Sequence, residues 1–204
     1  MNPKRLLTAI VVVTALAMGT WYTYRTVAPR PVPETATVMP EPGELVEFSL
    51  VDHNGDLFTR DDLLGNWSLV FFGFTHCPDV CPLTLQVLAT AKQSLQEADQ
   101  QPLPRIVFIS VDPARDTPES IGQYVRYFDD GAVAVTGEVN ELRKLAGSLG
   151  AFFEKSSGDG ENYGVNHSST VHLINPDARL QAVFNAPHEA NSFVHDLPLI
   201  VATR

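Results

Sequence analysis

Residues 67–74, WSLVFFGF, are apolar at nearly every position and are bounded by Gly65 on one side and Cys77-Pro78 on the other. A run this short and this continuous reads as a strand buried on both faces, not as one side of a helix. A strand covered on both sides needs a layer on each, which commits the chain to a sheet packed between helices.

The flanking sequence supplies those layers. After the cysteines, Leu85, Leu88, Ala91 and Leu95 recur at three-to-four spacing and predict a helix that Pro102 and Pro104 close off. Residues 106–111 read as a second buried strand. Thr117-Pro118-Glu119 then opens a helix, with a hydroxyl at the N-cap and proline at the first helical position. Its apolar face is Ile121, Tyr124, Val125 and Phe128. A short strand follows over 132–135, and a helix over 140–149 stops at Gly150. Residues 168–174 and 180–184, joined by Asn175-Pro176-Asp177, read as a hairpin, and 192–201 as a closing helix. An opening strand over 45–51 leads into the turn His53-Asn54-Gly55-Asp56. Alternating units of this kind imply right-handed crossovers and a central sheet ending in an antiparallel pair. That order suits an α/β domain of the thioredoxin-like class over residues 44–204.

Two segments precede it. Lys4 and Arg5 stand before residues 6–24, an uncharged stretch of bilayer-spanning length, which predicts a membrane anchor over 1–25 with the rest of the chain outside the cytoplasm. Ala15-Leu16-Ala17 has the form of a signal-peptidase site, so a cleaved signal segment is the competing reading; both place the domain in one compartment. No Arg- and Ser-rich transit peptide is present, which favours a bacterial inner membrane with the domain in the periplasm. Residues 26–43 hold Pro29, Pro31, Pro33, Pro40 and Pro42 and read as an extended linker. The formal net charge of -10 and the lack of any Lys/Arg-rich run argue against a nucleic-acid partner.

The chain has only two cysteines, Cys77 and Cys81, at the junction of the buried strand and its helix. Residues four apart on a helix share a face. A helix N-terminus favours a thiolate. The pair is compatible with a structural disulfide, a redox couple or a metal site. A disulfide here closes a very small loop and would be a weak staple. Two thiolates suit Cu(I), Cu(II) calls for imidazole as well, and zinc for four ligands. The six histidines are His53, His76, His167, His172, His188 and His195.

Phe71-Phe72-Gly73-Phe74-Thr75-His76-Cys77-Pro78-Asp79-Val80-Cys81-Pro82 resembles the signature of the Sco/SenC family. Val111-Asp112-Pro113-Ala114-Arg115-Asp116-Thr117-Pro118-Glu119 is similar to that family's second block, and Tyr163-Gly164-Val165-Asn166-His167-Ser168 to its third. The resemblance covers about 44–204. It implies a thioredoxin-like fold and copper, as Cu(I) or Cu(II), held by Cys77, Cys81 and His167. It implies maturation of the dinuclear copper site of cytochrome c oxidase subunit II, fed by an upstream copper donor. The chain would then be a metallochaperone and not a classical enzyme. The alternative is a membrane-anchored thiol–disulfide oxidoreductase, with Cys77 as nucleophile and Cys81 as resolving thiol, acting on the cysteines of the same client. His167 separates the two, because a dithiol exchanger does not need it.

His167 is expected at the end of a Gly- and Ser-rich loop (156–163), just before a strand. Relatives usually carry Asp before this histidine, where this chain has Asn166, so tuning of the imidazole is expected to differ. His76 adjoins Cys77 and is a secondary candidate. His172 reads as a packing or surface residue within a strand. Asp79 reads as a helix cap or a partner contact, and Asp112, Arg115 and Asp116 as caps plus an Arg–carboxylate pair, with partner docking as the alternative. His53, His188 and His195 receive no role.

Overall fold

The computed structural model describes residues 3–27, 31–156 and 163–202, without the side chains of 5, 6, 8, 26 and 27. The chain divides into two units, Met1–Val32 and Pro33–Arg204.

The first unit is the helix α1 (Pro3–Val27). Its apolar side chains Leu7, Ile10, Val11, Val12, Val13, Leu16 and Met18 are exposed. Thr14, Thr20 and Thr23 fold their hydroxyls back onto carbonyls one turn earlier. The expected span over 6–24 is helical, but among the described residues no helix is long and apolar enough to cross a membrane.

The second unit is a sheet between helices. Its strands are β1 (Ala36–Glu44), β2 (Ser49–Asp52), β3 (Leu57–Thr59), β4 (Ser68–Gly73), β5 (Arg105–Ser110) and β6 (Val133–Thr136). Then come β7 (Phe153–Lys155), β8 (Val165–His167), β9 (Val171–Ile174) and β10 (Arg179–Phe184). The helices are α2 (Val80–Glu97), α3 (Pro118–Arg126), α4 (Val139–Ser148) and α5 (Ala190–Val201). The main sheet runs β1-β10-β9-β4-β5-β6-β2-β3, and β7-β8 form a separate pair. β4, β5 and β6 are parallel, joined by the crossover helices α2 and α3; β9 and β10 return antiparallel. This is the α/β thioredoxin-like arrangement expected from the order of apolar runs.

The reading of 67–74 as a central buried strand holds: every residue of β4 is buried, between β9 and β5. The predicted helical face also holds, with Leu85, Leu88, Ala91 and Leu95 all buried on α2. Thr117 caps α3, its side chain accepting from the Ser120 amide, with Pro118 at the first helical position.

Three features differ from the sequence reading. Residues 36–44, expected as the end of the linker, form the edge strand β1 against β10, with its register broken between Val38 and Gly43. Pro40 and Pro42 fall in that break. Proline lacks the ladder N–H and is tolerated on an edge strand or at an irregularity, so composition pointed to a linker where the sheet still accepts a strand. The start of this strand is gripped by α5. Asp196, fully buried, accepts hydrogen bonds from the amides of Glu34, Thr35 and Ala36 and from the Thr35 hydroxyl. Second, 45–51 is not one strand: β2 begins at Ser49 and turns through Gly55, at φ 88°, into β3. Third, of the expected strand over 168–174 only Val171–Ile174 is a strand, β9 of the main sheet, while β8 (Val165–His167) precedes that range and pairs with β7 instead.

Candidate metal centre

β4 ends in Gly73 at the edge where the chain leaves the sheet. An ideal Cβ on that glycine would lie 2.9 Å from Cys81 Sγ and 2.7 Å from Phe108 Cε2. The bare backbone therefore makes the seat in which the second sulfur rests. Cys77 follows in a turn closed by its amide on the Phe74 carbonyl, and Cys81 lies in the first turn of α2. The Cys81 amide donates to Cys77 Sγ at 3.4 Å, so a free helix-terminal N–H is aimed at the first sulfur. Both thiols are free; Cys77 is half-buried and Cys81 is buried.

The histidine comes from the other side of the fold. His167 is the last residue of β8, opposite Phe153 of β7. Its Nε2 stands 3.4 Å from Cys81 Sγ. Its Nδ1 lies 2.9 Å from the Ser168 carbonyl, which only accepts, so Nδ1 carries the proton and Nε2 is left with its lone pair toward the sulfur. Phe71 and Phe74 meet the imidazole edge-on, with centroids 6.0 and 5.9 Å away. Sγ of Cys77, Sγ of Cys81 and a ring nitrogen of His167 all lie within 4.8 Å of one another.

Burial holds the His167 imidazole below its ordinary pKa, against the Ser168 hydrogen bond, so the ring is neutral and ready to donate. Burial likewise pushes the Cys81 thiol well above its ordinary value. Negative charge at Cys77 and Asp116 adds to this, against a backbone hydrogen bond at Phe74. The expectation that a helix N-terminus favours a thiolate does not extend to Cys81, which at 0% exposure is held in the thiol form by loss of solvent. A sulfur in that state ionises when a cation sits beside it. Two sulfurs and one neutral imidazole nitrogen form a soft, three-donor set. That set fits copper and falls one donor short of the four of a closed structural zinc site.

The other sequence candidates separate cleanly. His76 is not in the cluster; its side chain is 55% exposed, and its Nδ1 faces Thr75 Oγ1 and Asp116. His172 is buried in β9, edge-on to Phe72, as the packing reading expected. Asp79 occupies the N-cap position of α2 but makes no side-chain cap bond. Asp112 pairs with Arg115, as anticipated. His53 accepts from the Ala134 amide, His188 contacts the Ser169 carbonyl, and His195 pairs with Asp196.

Two expectations about His167 change. It sits on a short strand instead of at the end of a loop; of that loop, residues 157–162 lie outside the described residues. The hairpin escaped notice because Glu154, Lys155 and Asn166 give it no apolar alternation. Asn166 does not orient the imidazole either: it is exposed and, on a strand, points opposite to its neighbour, and the Ser168 carbonyl does that work. Sequence reasoning missed Gly73, whose signal is a glycine closing an otherwise bulky strand, and Phe71 and Phe74, which read only as core.

A family model described as SCO1/SenC matches residues 40–202. An SCO2-like protein of Rickettsia prowazekii is 36% identical over 139 residues, covering 67% of this chain and 67% of its own length. The crystal structure of Arabidopsis thaliana ScoI with copper bound superposes with a TM-score of 0.74 at 31% identity, over 80% of this chain and all of that one. Yeast Sco1 with copper bound gives 0.72 at 28%, over 81% and 91%.

Proposed function

Because the chain belongs to the SCO1/SenC family of copper-binding proteins of cytochrome c oxidase assembly, we propose that it carries one copper ion between Cys77 Sγ, Cys81 Sγ and His167 Nε2 and passes it to a copper client. The single observation behind this is the convergence of two free thiols and a proton-free imidazole nitrogen within 4.8 Å. The client we infer is the dinuclear copper site of cytochrome c oxidase subunit II, with a separate donor loading the chain. Transfer by ligand exchange needs one approachable ligand, and half-buried Cys77 is the sulfur that a client thiolate can displace first. Buried Cys81 holds the ion until then.

The N-terminal helix would tether the domain to a membrane, with the copper site on the non-cytoplasmic side. The support is Lys4 ahead of exposed Ile10, Val11, Val12, Val13 and Leu16, with Trp21, Tyr22 and Tyr24 at the other end. The domain boundaries 1–25, 26–43 and 44–204 follow from the same reading, with the linker shortened by β1. Resistance of the full chain to alkaline extraction from membranes tests the tether.

A second reading keeps the same two sulfurs as a thiol–disulfide couple acting on the client's cysteines, which their proximity also permits. The deciding experiment mixes the copper-loaded chain, without oxygen, with the reduced and with the oxidised copper-free domain of subunit II. Copper should move to the reduced client and leave the chain, and Cys77→Ser should abolish this. Copper retained by the chain against the reduced client, together with reduction of the oxidised client's disulfide by the copper-free chain, whose two thiols become a Cys77–Cys81 disulfide, overturns the carrier reading in favour of the redox one.

A further inference from the structure

The two halves of the site come from segments far apart in sequence, and one short loop holds on to both. That loop, residues 110–117, joins β5 to α3. Asp116 is buried, and both its oxygens are taken. One accepts the Thr75 amide at 2.9 Å and the Ser110 hydroxyl; the other accepts the Thr75 hydroxyl. Thr75 stands two residues before Cys77. Asp112, 4% exposed, accepts the Tyr163 hydroxyl at 2.6 Å on one oxygen and Arg115 Nε on the other. Tyr163 stands four residues before His167 and two before buried Val165 of β8.

The grip on Tyr163 extends beyond one hydrogen bond. The Arg115 guanidinium lies 3.7 Å from the ring centroid and Lys155 Nζ 3.5 Å from it. Arg115 also approaches the ring of Phe74, which borders His167. The two carboxylates are spaced by one turn, closed by the amides of Arg115 and Asp116 on the Asp112 carbonyl at 3.1 and 2.9 Å.

We infer that the 110–117 loop is a two-armed bracket for the metal centre, in which Asp116 positions the thiol segment through Thr75 and Asp112 positions the imidazole segment through Tyr163. None of these residues touches the ion; they are positioning residues. The bracket rests on the reading that Cys77, Cys81 and His167 hold copper. It gives each arm its own signature. Loosening the Asp112 arm moves the imidazole and weakens the form of copper that needs nitrogen. Loosening the Asp116 arm moves the sulfurs and weakens both forms.

The test compares the full chain with Tyr163→Phe, Thr75→Val and His167→Ala, measuring Cu(I) and Cu(II) affinity, the sulfur-to-copper absorption of the Cu(II) form, and metal-free melting. Tyr163→Phe keeps the ring and removes the hydroxyl. It should lower Cu(II) affinity by about 10- to 100-fold, the usual effect of removing a partner that orients a ligand. Its absorption should shift toward that of His167→Ala, with Cu(I) affinity changed by less than about threefold. Thr75→Val should lower both affinities together. Tyr163→Phe with unaltered Cu(II) binding, beside a clearly altered His167→Ala, refutes the bracket. So does an equal loss of both affinities in Tyr163→Phe that tracks its melting temperature. If His167→Ala itself changes nothing, the ligand assignment fails, and the bracket with it.

Discussion

Gly73→Ala isolates the contact between sheet and site. The added Cβ would meet Cys81 Sγ at 2.9 Å, Phe108 Cε2 at 2.7 Å and Phe71 Cε1 at 3.3 Å. Comfortable contacts lie near 3.5–4.0 Å, so sulfur and ring must each retreat by roughly 1 Å. Neither has room: Cys81 and Phe108 are both 0% exposed. Overpacking of this kind costs about 1–3 kcal/mol. In a domain of this size that is a fall of roughly 2–10 °C in melting temperature. A displaced sulfur also leaves the position that His167 Nε2 faces, so copper affinity should fall by at least about tenfold, the lower end of what misplacing a ligand costs. Gly122→Ala is the matched control. Its Cβ would press on His53 Cβ at 2.9 Å, a comparable clash with no cysteine nearby. The assay is denaturant unfolding of the reduced, metal-free protein together with competitive Cu(I) titration of both variants. Both should lose stability and only Gly73→Ala should lose copper. Copper binding within about threefold of the parent in Gly73→Ala, or an equal loss in Gly122→Ala, would refute the argument that the glycine seats the sulfur.

Other expectations follow from groups outside the cluster. Burial lowers the pKa of His172 from 6.5 to about 4, against backbone hydrogen bonds that raise it. The unfolded chain therefore binds this proton first as pH falls. Stability is full above pH 6.5 and is lost as pH drops toward 4, by up to about 3 kcal/mol; His172→Leu should flatten that window in unfolding measured against pH. Asp196→Asn should cost about 2–3 kcal/mol, because a buried carboxylate serving five donors, His195 Nδ1 among them, becomes a group that also brings donors of its own. Hydrogen exchange should then rise at Thr35 and Ala36 before it rises in β4.

What could be read in the sequence follows physical lines. β4 and α2 are legible because one is apolar throughout and the other repeats at helical spacing, and the cysteines fall at their junction. The histidine is legible only through the motif around it, since a lone histidine between polar residues carries no periodic signal. β1 is hidden by its prolines, which the sheet accepts at a register break. The hairpin of β7 and β8 is hidden by its polar residues. The ionisation of Cys81 depends on how deeply the sulfur sinks against Gly73 and Phe108, which spacing along the chain does not encode. The contact between Asp112 and Tyr163 spans 51 positions and appears only when the fold closes.

The central claim is a copper ion held by two sulfurs and one imidazole nitrogen, and X-ray absorption at the copper edge of the reduced, copper-loaded full chain tests it most directly. The account predicts one copper per chain with two sulfur scatterers and one imidazole, the imidazole disappearing in His167→Ala and a sulfur in Cys81→Ser. A first shell of oxygen and nitrogen alone, or a spectrum that His167→Ala leaves unchanged, would contradict it.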